Sequence, residues 1–331
     1  MKLELRSVRI KNCGPIDDIK IDFFDASGKT LPVCVIGGAN GSGKTTILEA
    51  IWGIASMVPS GMIDGSFAEK KIDYAQIDWL IDRKEFSLFL GTQPQGAILS
   101  QAFYGLVDRG NNNYETNRTP RSDEIMQKIF LRQNRTDDSN DLTALSYAEN
   151  TMPTIIYLPH NRSLEAVSGN QIQKEEEGYR FVHRINAIRQ FPGSLTSYLI
   201  WLEYSDTDHY LRMQNFLNNL NFDGKTFHVN RKELDVLVKT KDGHEHKLHE
   251  LSSGEQNLLT ILIELYRKLT PGSIVLIDEI ENSLHPAYQH RLAQGLLALQ
   301  KEIPYQLIVT THAPAFVEIF GEENTRLLTP F

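Results

Sequence analysis

Gly38-Ala39-Asn40-Gly41-Ser42-Gly43-Lys44-Thr45 fits the pattern G-x-x-x-x-G-K-[ST]. Val33-Cys34-Val35-Ile36 leads into it as an apolar run of strand length, and Thr46-Ile47-Leu48-Glu49-Ala50-Ile51-Trp52 leads out with helical composition. Glycines in such a loop let backbone N–H groups close around phosphates, and the helix N-terminus adds a positive dipole end. The cradle is expected to comprise Gly38, Asn40, Gly41, Ser42, Gly43 and Thr46. Lys44 is expected to reach the β- and γ-phosphates, and the Thr45 hydroxyl to hold Mg²⁺. A fortuitous match in a glycine-containing loop is the alternative, and the strand–loop–helix context argues against it.

Downstream, Ser273-Ile274-Val275-Leu276-Ile277-Asp278-Glu279 is an apolar strand ending in two carboxylates. Alone it reads as a solvated strand end. Beside a phosphate loop, Asp278 is expected to bind Mg²⁺, directly or through water, and Glu279 to polarise an attacking water. Leu251-Ser252-Ser253-Gly254-Glu255-Gln256 reads as a helix start. Ser252 and Ser253 can cap a helix whose apolar face carries Leu258, Leu259, Leu262 and Leu265, and Gly254 allows close backbone approach to a phosphate. Glu281-Asn282-Ser283-Leu284-His285-Pro286 follows, and Gln306-Leu307-Ile308-Val309-Thr310-Thr311-His312 is a strand ending in histidine. A lone histidine at a strand end is usually structural.

In this order the segments resemble the Walker A, signature, Walker B, D-loop and switch-histidine motifs of ABC-type ATPases. The resemblance covers the two ends of the chain well and the middle loosely. It implies an α/β fold: a P-loop NTPase of the ABC-ATPase head type, with a mixed sheet, an antiparallel β subdomain and a helical lobe or insertion. It implies ATP and Mg²⁺ as cofactors, Glu279 and His312 as catalytic residues, and His312 as a γ-phosphate contact. It also implies that Ser252, Ser253 and Gly254 reach the γ-phosphate of a second protomer, so that ATP joins a head-to-tail homodimer or higher homo-oligomer.

Leu5-Arg6-Ser7-Val8-Arg9-Ile10-Lys11-Asn12-Cys13-Gly14-Pro15 resembles the first strand and turn of RecF-, SMC- and OLD-like heads. The block Glu279–Pro286 resembles that of soluble AAA-family ATPases found with OLD nucleases and in bacterial anti-phage systems. Transporter ATPases usually carry Leu-Ser-Gly-Gly-Gln after a shorter span; here Ser-Ser-Gly-Glu-Gln stands after a longer one. A further departure lies after the apolar strand at 153–159, where His160 takes the place of the Q-loop glutamine. His160 is expected to orient a water or touch the metal, and Arg162 to contact phosphate or a carboxylate. Gln76 is another candidate for the glutamine role, but reads more simply as an exposed surface residue.

At 331 residues the chain can bury a full α/β core, with room for two lobes. No apolar run approaches the ~20 residues of a membrane-spanning helix, and no signal-type leader is apparent. Cys13 and Cys34 are the only cysteines, and Cys34 falls in an expected core strand, so a reducing, cytoplasmic compartment is expected. The net charge of −8 supplies no global footprint for nucleic acid, although a local basic stripe stays open.

Three parts are expected. Residues 1–107 form the N-terminal part of the head, 108–226 an insertion and helical lobe around the core strand at 153–159, and 227–331 the C-terminal part. Phe86–Leu90 and Ala97–Leu99 flank Gln93–Gly96 and read as a hairpin. Residues 108–150 are rich in Asn, Asp and Arg, with Arg118, Arg121, Lys128, Arg132 and Arg135, and read as a solvated segment; a nucleic-acid or partner contact is the sharper alternative. Residues 163–226 look helical without sustained heptads, which excludes a long-armed coiled coil. Leu234–Val238 and a return strand surround Lys241-Asp242-Gly243 as a hairpin, and His244, His246 and His249 there read as surface residues.

The expected function is an ATPase that dimerises around ATP and gates a separate effector or nuclease, as in anti-phage systems, with no membrane partner. The chain leaves no room for the nuclease domain of OLD proteins, so a nuclease is expected on another polypeptide. A DNA-repair clamp of the RecF type and a transporter ATPase subunit are the alternatives. Salt-dependent duplex affinity distinguishes the first of these, and co-purification with a permease the second.

Overall fold

The strands that carry the loop and the carboxylates are apolar at nearly every position because both of their faces are covered. In a computed structural model, which describes residues 1–61, 70–92, 102–108, 114–133, 152–160, 179–185, 195–220, 224–282 and 284–328, these are β3 (Val33–Gly38), β8 (Ile155–Leu158), β13 (Ser273–Ile277) and β14 (Tyr305–Thr311). With β9 (Val182–Arg184) and β15 (Thr325–Leu328) they form a parallel sheet in the order β15-β3-β14-β13-β8-β9. Alternation along each strand divides its side chains between two cores. Cys34, Ile36, Ile155, Tyr157, Ile274, Leu276 and Ile308 face one; Val33, Val35, Ile156, Leu158, Val275, Ile277, Leu307 and Val309 face the other.

The first core is closed by an antiparallel lobe. Its strands are β1 (Leu3–Cys13), β2 (Ile16–Asp22), β4 (Ile72–Ile81), β5 (Lys84–Gly91), β6 (Phe103–Asp108) and β7 (Tyr114–Arg118), in the order β2-β1-β4-β5-β6-β7. Helix α1 (Lys44–Ala55), buried on most of its surface, shares this core; a helix that is apolar nearly all round needs cover on both sides. The short α2 (Met57–Ser60) follows it, and α3 (Pro120–Gln133) adds Met126 and Ile129 to the core. One buried side chain joins the two sheets: the Gln306 amide of β14 accepts from Leu5 N (2.8 Å) and donates to Leu5 O (3.0 Å), beside the register shift between Leu5 and Ser7 in the pairing of β1 with β4.

The second core lies under the helices α4 (Leu195–Ser205), α5 (Thr207–Asn219), α6 (Ser253–Lys268), α7 (Pro286–Glu302) and α8 (Pro314–Phe320). A small antiparallel sheet of β10 (Thr226–Asn230), β11 (Asp235–Lys239) and β12 (Glu245–Lys247) completes this side, and His244, His246 and His249 are exposed there. No helix among the described residues is long and apolar enough to cross a membrane.

Several sequence expectations change. β5 forms its hairpin with β4, across Asp82 and Arg83, which both take positive φ (50° and 67°); two left-handed residues match the twist of paired strands even without the usual glycine. β5 then pairs parallel with β6. The expected return strand Ala97–Leu99 and its turn Gln93–Gly96 lie outside the described residues, as do Arg135, Arg162 and Ser283. Residues 114–133, expected as solvated loop and helix, form the helix α3 and also the strand β7, because β6 offers a free edge that β7 pairs antiparallel. Residues 182–184, expected to be helical, form an edge strand on β8. Gln76, expected at the surface, is buried: it accepts from the Tyr74 hydroxyl and donates to Asp78 Oδ1 (2.6 Å), which also accepts from Ser87 Oγ (2.7 Å). The polar row on this sheet face satisfies itself, which lets it be covered.

Candidate nucleotide site

The loop leaves β3 at Gly38 and enters α1 at Lys44. Gly41 and Gly43 hold φ of 82° and 86°, a region that only glycine visits freely. Packing restricts two of the glycines further. A Cβ on Gly38 would lie 2.7 Å from Ser42 Oγ and 3.1 Å from Leu328 O, and one on Gly43 would lie 2.7 Å from Ile16 Cγ1. Asn40 stands at the exposed tip, and Thr46 is buried under the Gly14 turn. Gly43 caps α1 with no side-chain hydrogen bond, so the first N–H groups of the helix are left for another acceptor. Ser42 Oγ is buried and has no hydrogen-bond partner among the described residues. Lys44 Nζ lies across the loop and donates to Gly38 O (2.7 Å) and Ala39 O (2.8 Å).

Asp278 ends β13 with no exposed surface. Its Oδ2 accepts from Thr45 Oγ1 at 2.8 Å across 233 residues of sequence and lies 3.0 Å from His160 Nδ1; its Oδ1 accepts from Thr310 Oγ1 at 2.6 Å. Carboxylate and hydroxyl oxygens side by side, opening onto a phosphate-type loop, fit Mg²⁺, which keeps several waters and takes one or two protein oxygens. Glu279 is half-buried and sits at φ 44°, with its N–H donated to Thr310 Oγ1 (2.8 Å). A bulky residue in the left-handed region costs on the order of 1–3 kcal/mol and is tolerated where surrounding bonds over-determine it. Thr310 supplies that constraint by receiving from Glu279 N–H and giving to Asp278.

His312 follows β14 with a half-exposed ring. Glu281, itself buried, holds the segment: Oε2 accepts from Thr311 Oγ1 (2.7 Å), and Oε1 accepts from His312 N (2.8 Å) and lies 2.6 Å from His312 Nδ1. Asn282 Nδ2 donates to His160 O (2.6 Å), and Asn257 of α6 donates to Asn282 O (3.3 Å). Thr310 and Glu281 are functional-site neighbours that sequence reasoning did not single out. The doubled threonine before His312 and the carboxylate two residues after Glu279 are the signals that point to them.

Ser252 caps α6 and forms a reciprocal capping box with Glu255. Gly254 packs on Tyr288, where a Cβ would lie 3.0 Å from the ring. Burial favours the neutral Glu255 acid, but hydrogen bonds from Lys225 and Ser252 outweigh it and hold the carboxyl below its ordinary range. Ser252 and Ser253 are exposed. Among the described residues no hydrogen bond or ion pair joins Ser252, Ser253 or Gly254 to the phosphate-type loop; Asn257, farther along α6, reaches Asn282, which reaches His160. Lys44, Thr45, Asp278, His160, Glu279 and His312 gather at the ends of the parallel strands, while the serine-glycine turn presents its polar groups to solvent.

The family model described as "AAA domain, putative AbiEii toxin, Type IV TA system" matches residues 33–318. "Retron Ec83 probable ATPase" of Escherichia coli is 35% identical over 111 residues, which is 30% of this chain and only 20% of that protein. "Septu protein PtuA" of Bacillus thuringiensis is 25% identical over 336 residues, covering 96% of this chain and 73% of that protein. Among solved structures, the SMC head bound to the C-terminal winged-helix domain of ScpA aligns with a TM-score of 0.50 at 16% identity, over 96% of this chain and 91% of that one, a likeness of fold. Since the family match runs from the strand before the phosphate-type loop into the helix after His312, the chain belongs to this AAA-domain family.

Proposed function

We propose that the protein binds and hydrolyses ATP with Mg²⁺, dimerises head to tail around the nucleotide, and uses that cycle to gate a separate effector in anti-phage defence. The observation that carries this reading is the Thr45 Oγ1–Asp278 Oδ2 contact, which brings the two motif carboxylate and hydroxyl groups together at the mouth of the loop. The retron and Septu names of its relatives support the cellular role.

In this mechanism the N–H groups of Gly41–Thr46 hold the phosphates, and Lys44 exchanges its loop carbonyls for phosphate oxygens. Thr45 and Asp278 would hold Mg²⁺, which when bound would supply charge neutralisation for the phosphates. We assign His160 to orienting Asp278 rather than to the metal, because its Nδ1 is engaged with Oδ2. Glu279 orients and deprotonates the attacking water, with its backbone set by Thr310. His312 donates to the γ-phosphate, and Ser252, Ser253 and Gly254 of a second protomer close the other side. Loss of the γ-phosphate then removes contacts from both protomers at once and loosens the pair, a shift in population between two assemblies.

The decisive experiment is the solution mass of Glu279→Gln protein with and without Mg-ATP. A nucleotide-dependent shift to a dimer or higher assembly is expected. A variant that binds ATP and keeps its mass would remove the shared-site model.

A further inference from the structure

Glu255 places a carboxylate directly behind the serine-glycine turn. It is 4% exposed, and Oε2 accepts from Ser252 N (3.0 Å) and Ser252 Oγ (2.8 Å), while Oε1 accepts from Lys225 Nζ. A negative group suits a helix N-terminus on its own. It suits an arriving phosphate poorly, since like charges brought together at an interface oppose association. Lys225 is the cation that faces Glu255, and the fold delivers it there. It stands one residue before β10, whose Phe227 N–H donates to Asn218 Oδ1 (2.9 Å) and whose Phe227 O accepts from Gln214 Nε2 (2.6 Å), both on α5. Gly224, at φ 72°, turns the chain into this strand, and its Cα faces the Lys241 side chain.

We infer that Lys225 is a positioning residue of the trans phosphate site: it neutralises Glu255 so that the Ser252–Gly254 turn can receive the γ-phosphate bound by a second protomer. This rests on the shared-site reading above. With Lys225 in place the turn presents a neutral pair behind a hydroxyl and helix N–H groups. Without it, a buried, uncompensated carboxylate faces the partner's nucleotide. The position of Lys225 depends on α5, so the helical lobe sets the charge state of the turn as seen from outside. Nucleotide capture by the protomer's own loop does not involve Lys225.

The test is made in the Glu279→Gln background, by titrating Mg-ATP and reading assembly by mass, with ATP affinity measured separately at protein concentrations below assembly. Lys225→Gln is expected to raise the ATP concentration for half-assembly by about tenfold or more, with protomer affinity within about twofold. Lys225→Arg is expected to assemble normally. Lys225→Gln combined with Glu255→Gln is expected to recover assembly, because the offending charge is gone; a role for Lys225 in packing or tethering alone predicts no such recovery. Failure of the double variant to recover overturns the inference. Normal assembly of Lys225→Gln also overturns it, and if Ser253→Arg, an exposed steric block, still abolishes assembly, the shared-site reading survives alone. If neither Lys225→Gln nor Ser253→Arg alters assembly, the shared site itself is wrong and the inference falls with it.

Discussion

Glu281 Oε1 lies 2.6 Å from His312 Nδ1 and accepts the His312 backbone N–H at 2.8 Å, so one buried carboxylate sets both the ring and the main chain of His312. With Nδ1 beside Glu281 and the ring half-exposed, Nε2 is the nitrogen that the proposed site would turn toward a phosphate. Glu281→Gln keeps the shape and removes the charge. It is expected to lower ATP turnover about ten- to a hundredfold with little change in nucleotide affinity. His312→Ala added to it is expected to cost almost nothing further, since both changes break one unit. Steady-state turnover and equilibrium nucleotide binding of the two single variants and the double variant check this; additive losses would show that the pair does not act together.

Lys44→Ala is expected to abolish nucleotide binding. The lysine is buried in the loop, and among the described residues its acceptors are the carbonyls of Gly38 and Ala39, which a phosphate can replace. Fluorescent-nucleotide titration is the measurement, and tight binding by the variant would mean that the phosphates sit elsewhere.

Gln306→Leu is expected to destabilise the fold by about 1–3 kcal/mol, since it leaves the Leu5 N–H and C=O buried without partners. The amide bridges the two sheets away from the loop. Nucleotide affinity should therefore stay level while the urea midpoint falls; an unchanged midpoint would show that Leu5 finds other partners.

Two histidines give stability a pH dependence. Burial first, then Lys268 and Arg180, lower the His183 pKa from 6.5 to about 3. Burial and then Arg212 lower that of His209 from 6.5 to about 4. In the unfolded chain both bind protons near their ordinary value, so the unfolded state carries more protons between about pH 6.5 and the folded values. Their contribution is therefore present above pH 6.5 and is lost as pH falls toward 4 and then 3. Denaturation midpoints from pH 7.5 to 4.5 should fall across this range, and His183→Asn combined with His209→Asn should flatten the slope. A slope that survives both substitutions would assign it to other groups.

Much of this was legible in the chain itself. Residues 33–37, 274–277 and 307–309 are apolar at consecutive positions, which only a strand covered on both faces requires. The Ser252–Glu255 spacing announces its capping box without any tertiary information. Such features are local, with spacing and residue type sufficient to express them. The turn at Asp82-Arg83 was less legible because neither residue advertises left-handed geometry as Asn-Gly does. Gln76 was misread because its cover and its partners, Tyr74 and Asp78, depend on which sheet face is enclosed.

By itself, then, the sequence determined the fold class, the phosphate-type loop and the order of the motif segments, since each is written in contiguous residues whose backbone and burial preferences agree. Only the tertiary structure decided which side chains meet: Thr45 with Asp278, Glu281 with His312, Thr310 between Asp278 and Glu279, and Lys225 with Glu255. Those pairs join the ends of strands and helices distant in sequence. A short-range polar contact depends on distances of a few ångströms, which the order of strands in the sheet sets and residue spacing along the chain does not.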